Sequence, residues 1–115
     1  MFKDFSHCRI YVRPGATDMR KQMAGLSAVV QNLLKENPFS GNLFVFCNRR
    51  RNLLKILYWE INGFCCWQKR LEKDRFPWPK DEKEVLQITE RQVRLLLEGL
   101  DIWNAHKQLE YTEVA

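Results

Sequence analysis

Apolar residues recur along this chain at two periods, and each change of period marks a new element. In Arg9 to Arg13, Ile10 and Val12 alternate with Arg9, Tyr11 and Arg13, which predicts a short strand. Pro14-Gly15 ends it. From Met19 the apolar positions are Met19, Met23, Leu26, Val29, Val30, Leu33 and Leu34. Steps of three and four predict an amphipathic helix of about four turns, N-capped by Thr17 or Asp18. Gly25 in its middle costs on the order of 1 kcal/mol relative to Ala and points to a close packing contact.

Asn37-Pro38 breaks that helix and Ser40-Gly41 turns the chain. Asn42 to Cys47 is apolar on both faces, as a central strand is. Asn48 to Asn52 reads as a polar hairpin loop, Leu53 to Glu60 as the next strand, and Phe64 to Leu71 as a third. The Asn62-Gly63 pair between the last two is a hairpin signal. Lys73 to Asp81 holds two prolines and reads as irregular, and Glu84 to Ile88 reads as one more short strand. Thr89 with Gln92 forms a capping box that opens a second helix, striped by Val93, Leu96, Leu97 and Leu100 and ending near Gly99. The order predicts an α+β fold, an antiparallel β-meander of about four to five strands with two amphipathic helices packed on it. Residues 1–105 form a single domain on this reading, and 106–115 a frayed tail.

With 115 residues, 45% of them hydrophobic, the chain builds a core without metal or disulfide staples. No apolar run approaches the roughly 20 residues of a membrane helix, and Met1 to Cys8 lacks a signal peptide's apolar stretch. The expected compartment is the cytoplasm, with Cys8, Cys47, Cys65 and Cys66 reduced.

Charge changes the picture more than composition does. The net charge is +5, and from Phe44 to Lys80 nine Lys/Arg face three acids, leaving the rest of the chain near neutrality. Segregated positive charge points to an anionic partner. Arg49, Arg50 and Arg51 crowd a hairpin loop, where their guanidinium groups suit phosphate oxygens, although a solvated turn reads the same way. Lys55 follows on the next strand. The stretch Trp67 to Pro79 interleaves Lys69, Arg70, Lys73 and Arg75 with Trp67, Phe76 and Trp78, the mixture that grips phosphates and stacks bases. Phe76 and Trp78 also suit a cover over one sheet face. Of Tyr58 and Trp59, which point to opposite faces, one is expected in the core and the other beside Lys55 or Lys69.

Catalytic and metal chemistry find little support. Cys65 and Cys66 are adjacent on a strand and point apart, no Cys-x-x-Cys or His-x-x-x-His pair occurs, and His7 and His106 sit near the termini, so no metal and no cofactor are expected. Metal-dependent strand transfer needs converging carboxylates. Here the acids are sparse in the basic segment and gather at Asp81, Glu82 and Glu84, which read as a solvated turn. The five glycines are scattered and form no phosphate loop. The reading is of a protein that is not an enzyme and takes no small-molecule substrate.

A string of motifs then adds a family. Thr17-Asp18-Met19-Arg20-Lys21 precedes Gly25-Leu26, followed by Asn37-Pro38-Phe39-Ser40-Gly41 and by Leu43-Phe44-Val45-Phe46 with Asn48-Arg49-Arg50-Arg51. Leu54 to Trp59, Gly63-Phe64, Lys69-Arg70-Leu71-Glu72, Phe76, Trp78-Pro79 and Leu95 to Gly99 complete it. From about Ile10 to Trp103 the chain resembles the second-reading-frame protein of the insertion-sequence family 66 bacterial transposons, often labelled TnpB and unrelated to the RNA-guided nucleases of that name. That family often places a basic or glycine residue after the Lys-Arg-Leu-Glu run, where this chain has Lys73-Asp74, and Cys47, Cys65 and Cys66 look particular to this chain. The resemblance implies an accessory role in transposition beside a separate, larger transposase that carries the acidic catalytic residues. It supplies no site residues.

Two functions follow. One is a DNA-binding accessory factor, with Arg49, Arg50, Arg51, Lys55, Lys69, Arg70 and Arg75 on phosphates and Trp78 stacking or wedging. The other is a protein-interaction module that docks on the transposase or another element-encoded protein, anchored by Trp78 or Phe76.

Overall fold

The computed structural model describes residues 6–80 and 85–103. The expectations for the tail from residue 106, for His106 and for Asp81, Glu82 and Glu84 fall outside them. The elements run β1 (Ile10–Val12), α1 (Met23–Asn32), β2 (Leu43–Cys47), β3 (Leu53–Glu60), β4 (Gly63–Arg70), β5 (Leu86–Ile88) and α2 (Glu90–Leu97). The fold is α+β, with a sheet ordered β4-β3-β2-β1-β5.

β2, β3 and β4 form the expected antiparallel meander, and β5 lies antiparallel to β1. One pairing departs from the expectation: β1 runs parallel to β2, with Ile10 opposite Leu43 and Val12 opposite Val45. Parallel neighbours need a long crossover, and α1 supplies it. The helix returns the chain to the starting edge of the sheet, so β2 leaves in the same direction as β1. The sheet is therefore mixed, though mostly antiparallel.

The two helices take opposite faces. Leu26, Val29 and Val30 of α1 pack with Tyr11, Phe44, Phe46 and Leu57. Val93, Leu96 and Leu97 of α2 pack with Ile10, Val12, Val45, Leu54 and Ile56. Strand residues alternate between these two clusters, which is why β1 and β2 are buried along their whole length. Tyr11, read as the polar side of β1, is buried against Phe44 at a ring separation of 5.6 Å.

α1 is shorter than its apolar periodicity. It starts at Met23, with Gln22 as N-cap and no side-chain cap bond. Thr17 and Asp18 are spent earlier. The Thr17 hydroxyl accepts from the Arg13 guanidinium at 2.9 Å, and the Asp18 carboxylate accepts from the Arg20 backbone and side chain. Met19 therefore belongs to a turn ahead of the helix. Gly25 is not pressed against another element, since the nearest atoms a methyl there would meet belong to the Lys21 side chain, from 3.1 Å.

α2 matches its local signals at both ends. Thr89 and Gln92 form both bonds of the capping box. At the other end Gly99, at φ +85°, and Leu100 donate back to Leu96 and Leu95, the Schellman pattern. Leu100, expected on the apolar stripe, is therefore turned out and half exposed. Among the described residues no helix is long and apolar enough to cross a membrane.

Candidate nucleic-acid interface

The β2–β3 loop presents the three arginines on a tightly bonded turn. Asn48 organises it, its side-chain oxygen accepting from the Asn52 and Leu53 backbone N–H groups, both at 3.0 Å. Its amide donates to the Asn52 side chain at 2.7 Å. The Arg51 backbone donates to the Asn48 carbonyl, and Arg51 sits in the left-handed region at φ +61°. Arg49 and Arg50 are exposed on this turn and Arg51 is partly so.

The irregular stretch after β4 crosses beneath the loop as a strap. Leu71 N–H donates to the Asn52 carbonyl and Phe76 N–H to the Arg51 carbonyl. Further on, Gly15 N–H donates to the Pro79 carbonyl, tying in the segment between β1 and α1. Arg75, exposed, is carried next to Phe76, and Arg70 lies opposite Leu53 at the loop end of β4. Sequence-distant cations thus gather at one end of the sheet.

Two clefts flank Arg49. One, of about 480 Å³, lies between Arg49, Arg51, Lys80 and the Gly15-Ala16 backbone. The other, also about 480 Å³, lies between Arg49, Arg50, Arg20 and Asp18. They share Ala16, Asn48 and Arg49, so they form neighbouring halves of one basic surface. Asp18 is the one carboxylate lining them among the described residues, and Arg20 neutralises it at 2.8 Å. The Arg20 side-chain bonds, reinforced by its backbone N–H, hold the Asp18 carboxyl down at about 2.

Arg20 and Lys80 are additions that the sequence did not single out. Lys80 reaches the arginine loop through the Gly15–Pro79 backbone bond, a pairing without local signature. Arg20 arrives because the Asp18 turn holds it beside the loop.

Three expected contact residues also bond within the fold. Trp78 is 6% exposed, its indole N–H donates to the Arg13 and Gly15 carbonyls at 3.2 and 3.0 Å, and its ring stands perpendicular to that of Trp103. Trp78 lines the first cleft with only this small exposed area, and Phe76 is fully buried. Their large apolar area goes into the core, closing the α2 side. Lys69 donates to the Leu97 carbonyl at 2.7 Å, satisfying an end carbonyl of α2 that the Schellman turn leaves over. Lys55 faces α1, half-buried, and donates to the Met19 carbonyl at 3.2 Å. Strand alternation turns Lys55 on β3 toward the segment leading into α1 and Lys69 on the edge strand β4 toward the end of α2.

At the far end of β3, Tyr58 is buried and Trp59 lies on the α1 side, the same face as Lys55. Trp59 meets Phe39 and Phe64 edge-on at ring separations of 5.1 and 5.0 Å, and the two Phe rings meet each other tilted at 5.3 Å. Phe39 is 56% exposed and Ile61, at the β3–β4 turn, 91%. The sequence contained no sign that this apolar cluster would sit opposite the basic end.

The cysteines are free thiols. Burial pushes the Cys47 thiol up to about 12 and the Cys66 thiol upward as well, the opposite of what a nucleophile needs.

A family model described as "IS66 Orf2 like protein" matches residues 8–107. Two Sinorhizobium fredii proteins are similar over nearly the whole chain. One, uncharacterized protein y4hO, is 40% identical over 101 residues, covering 88% of each chain. The other, uncharacterized protein y4jC, is 34% identical over 100 residues, covering 87% of this chain and 85% of its own. No solved structure matches.

Proposed function

The chain belongs to the IS66 Orf2-like family, with its transposition-associated accessory role, and on that premise we propose that it binds DNA through the basic end of its sheet while another protein performs the strand cleavage. The observation that carries this reading is the convergence of Arg49, Arg50 and Arg51 with Arg20 and Lys80 around two adjoining clefts. Arg70 and Arg75 extend the same positive end. Asn48 pins the backbone of the turn that carries the guanidinium groups, so little backbone entropy is left to lose when they meet phosphate oxygens. Lys55, Lys69 and Trp78 support this surface from within.

Binding across a salt series tests the proposal. Counterion release makes affinity fall steeply with salt, and replacing Arg49, Arg50 and Arg51 by Ala together weakens binding and flattens the slope by roughly one unit per lost phosphate contact. An affinity that ignores salt sinks the phosphate reading.

A second reading rests on the opposite end. The Phe39–Trp59–Phe64 cluster with exposed Ile61 favours docking on the transposase, in place of the buried Trp78 and Phe76. Co-purification with transposase that survives nuclease and is lost in Phe39→Ala supports it.

A further inference from the structure

We infer that the basic end grips the backbone of duplex DNA and takes no unpaired bases, a conclusion that rests on the DNA-binding reading and narrows it. Single-strand binding needs aromatic platforms among the cations, on which successive bases stack. Among the described residues at this end of the sheet, the aromatics beside the arginines are Phe76, fully buried, and Trp78, which lines the first cleft but is only 6% exposed. The Trp78 N–H is already shared between two carbonyls. Exposed Phe39 and the half-buried Trp59 and Phe64 contact one another at the other end of β3. Six residues separate Trp59 from Leu53 beside the loop, about 20 Å at the rise of a strand. Trp67 is half-buried against the core under α2, in a cleft it shares with Lys69, Arg94, Leu97 and Glu98, where Lys69 is bonded to the Leu97 carbonyl and Arg94 to Glu90.

Among the described residues the surface also lacks an element that enters a groove to read base edges. Leu26, Val29 and Val30 commit α1 to one face of the sheet, and Val93, Leu96 and Leu97 commit α2 to the other. What projects is a loop of guanidinium groups with Lys80 and Arg20 on its two flanks. Two clefts sharing Arg49 offer places for phosphates on either side of it. Such contacts fix a protein on the duplex and carry no sequence information. Duplex DNA, with the higher charge density, is the ligand that rewards cations alone.

The test uses the full chain, a short duplex, each of its strands alone, and a strand carrying fluorescent aminopurine. Duplex affinity is expected to exceed strand affinity by about 10-fold and to fall about 10²- to 10³-fold between about 50 and about 200 mM salt. Scrambling the duplex sequence and Phe39→Ala are expected to change nothing, and aminopurine emission is expected to stay unquenched. Equal or tighter binding of the single strand overturns this inference, as does quenching or a loss of DNA affinity in Phe39→Ala, and each leaves the DNA-binding reading standing. Failure of both duplex and strand to bind at low salt sinks the two together.

Discussion

The backbone N–H of Phe76 donates to the carbonyl of Arg51 at 2.6 Å. That bond fastens a core aromatic to the turn that holds the arginines, so the rigidity of the basic end is inherited from the hydrophobic core. Phe76 is fully buried and Arg51 lies in the left-handed region, which a backbone keeps only when its neighbours enforce it. Disturbing the loop's supports should therefore act on stability and on DNA affinity together, whereas disturbing the exposed cations should act on affinity alone.

Asn48 is the first case. Asn48→Ala removes two bonds to backbone N–H groups and one to the Asn52 side chain. A loss of about 2–3 kcal/mol is expected, since part-buried donors lose their acceptor. Urea denaturation measures it, and DNA binding should weaken although no cation was removed.

Lys69 and Arg70 are neighbours with different duties. Lys69→Met keeps the aliphatic stem and removes the ammonium from the end of α2, so a loss of about 1–2 kcal/mol is expected with the salt slope of DNA binding unchanged. Arg70→Ala, on an exposed side chain, should leave stability within about 0.5 kcal/mol and reduce the slope by about one. The reverse pattern would assign Lys69 to the DNA contact.

Trp78→Phe retains an aromatic ring and removes the shared N–H, leaving the carbonyls of Arg13 and Gly15 without that donor. The expected cost is about 2 kcal/mol in thermal or chemical unfolding. A variant that binds DNA more weakly with undiminished stability would return Trp78 to the interface.

Ile61 holds φ +55° at the β3–β4 turn, where the Asn62 N–H closes on the Glu60 carbonyl at 2.6 Å. A β-branched residue pays for that conformation. Its side chain is almost wholly exposed. Ile61→Asn is therefore expected to raise stability by about 1 kcal/mol, read as a higher denaturation midpoint at constant slope.

Asp18 sets an acid dependence. Its folded pKa of about 2 lies below the ordinary 3.8. The unfolded chain therefore binds the proton more readily, and the stabilisation is present above pH 3.8 and lost as pH falls toward 2. Asp18→Asn should differ from the parent at neutral pH and converge with it in that window. A difference that persists unchanged to pH 2 would mean the carboxylate charge is not what Arg20 holds.

Much of this was legible in the sequence because it is written locally. The capping box at Thr89 and Gln92 and the glycine at 99 are signals within one turn of helix, and both appear as read. Continuous apolarity in Leu43 to Cys47 means two buried faces, and that strand is central. Arg49 to Arg51 fall on the predicted loop. Where two local options competed, the pattern misjudged. The apolar stripe of α1 extends back to Met19, yet Asp18 and Thr17 found partners outside the helix and delayed its start.

The sequence alone determined the element types, the helix caps, the segregation of positive charge and the family resemblance, because periodicity, turn chemistry and residue order act over a few positions. Only the tertiary structure decided which cations bond within the fold. Lys55 and Lys69 look like Arg70 and Arg75 in the sequence, but sheet alternation turns the two lysines toward backbone carbonyls far along the chain. It also decided that Trp78 is core, that β1 runs parallel to β2, and that Arg20 and Lys80 join the arginine loop. Each depends on contacts between segments dozens of residues apart, where the winner is set by burial on a two-sided sheet and leaves no local mark.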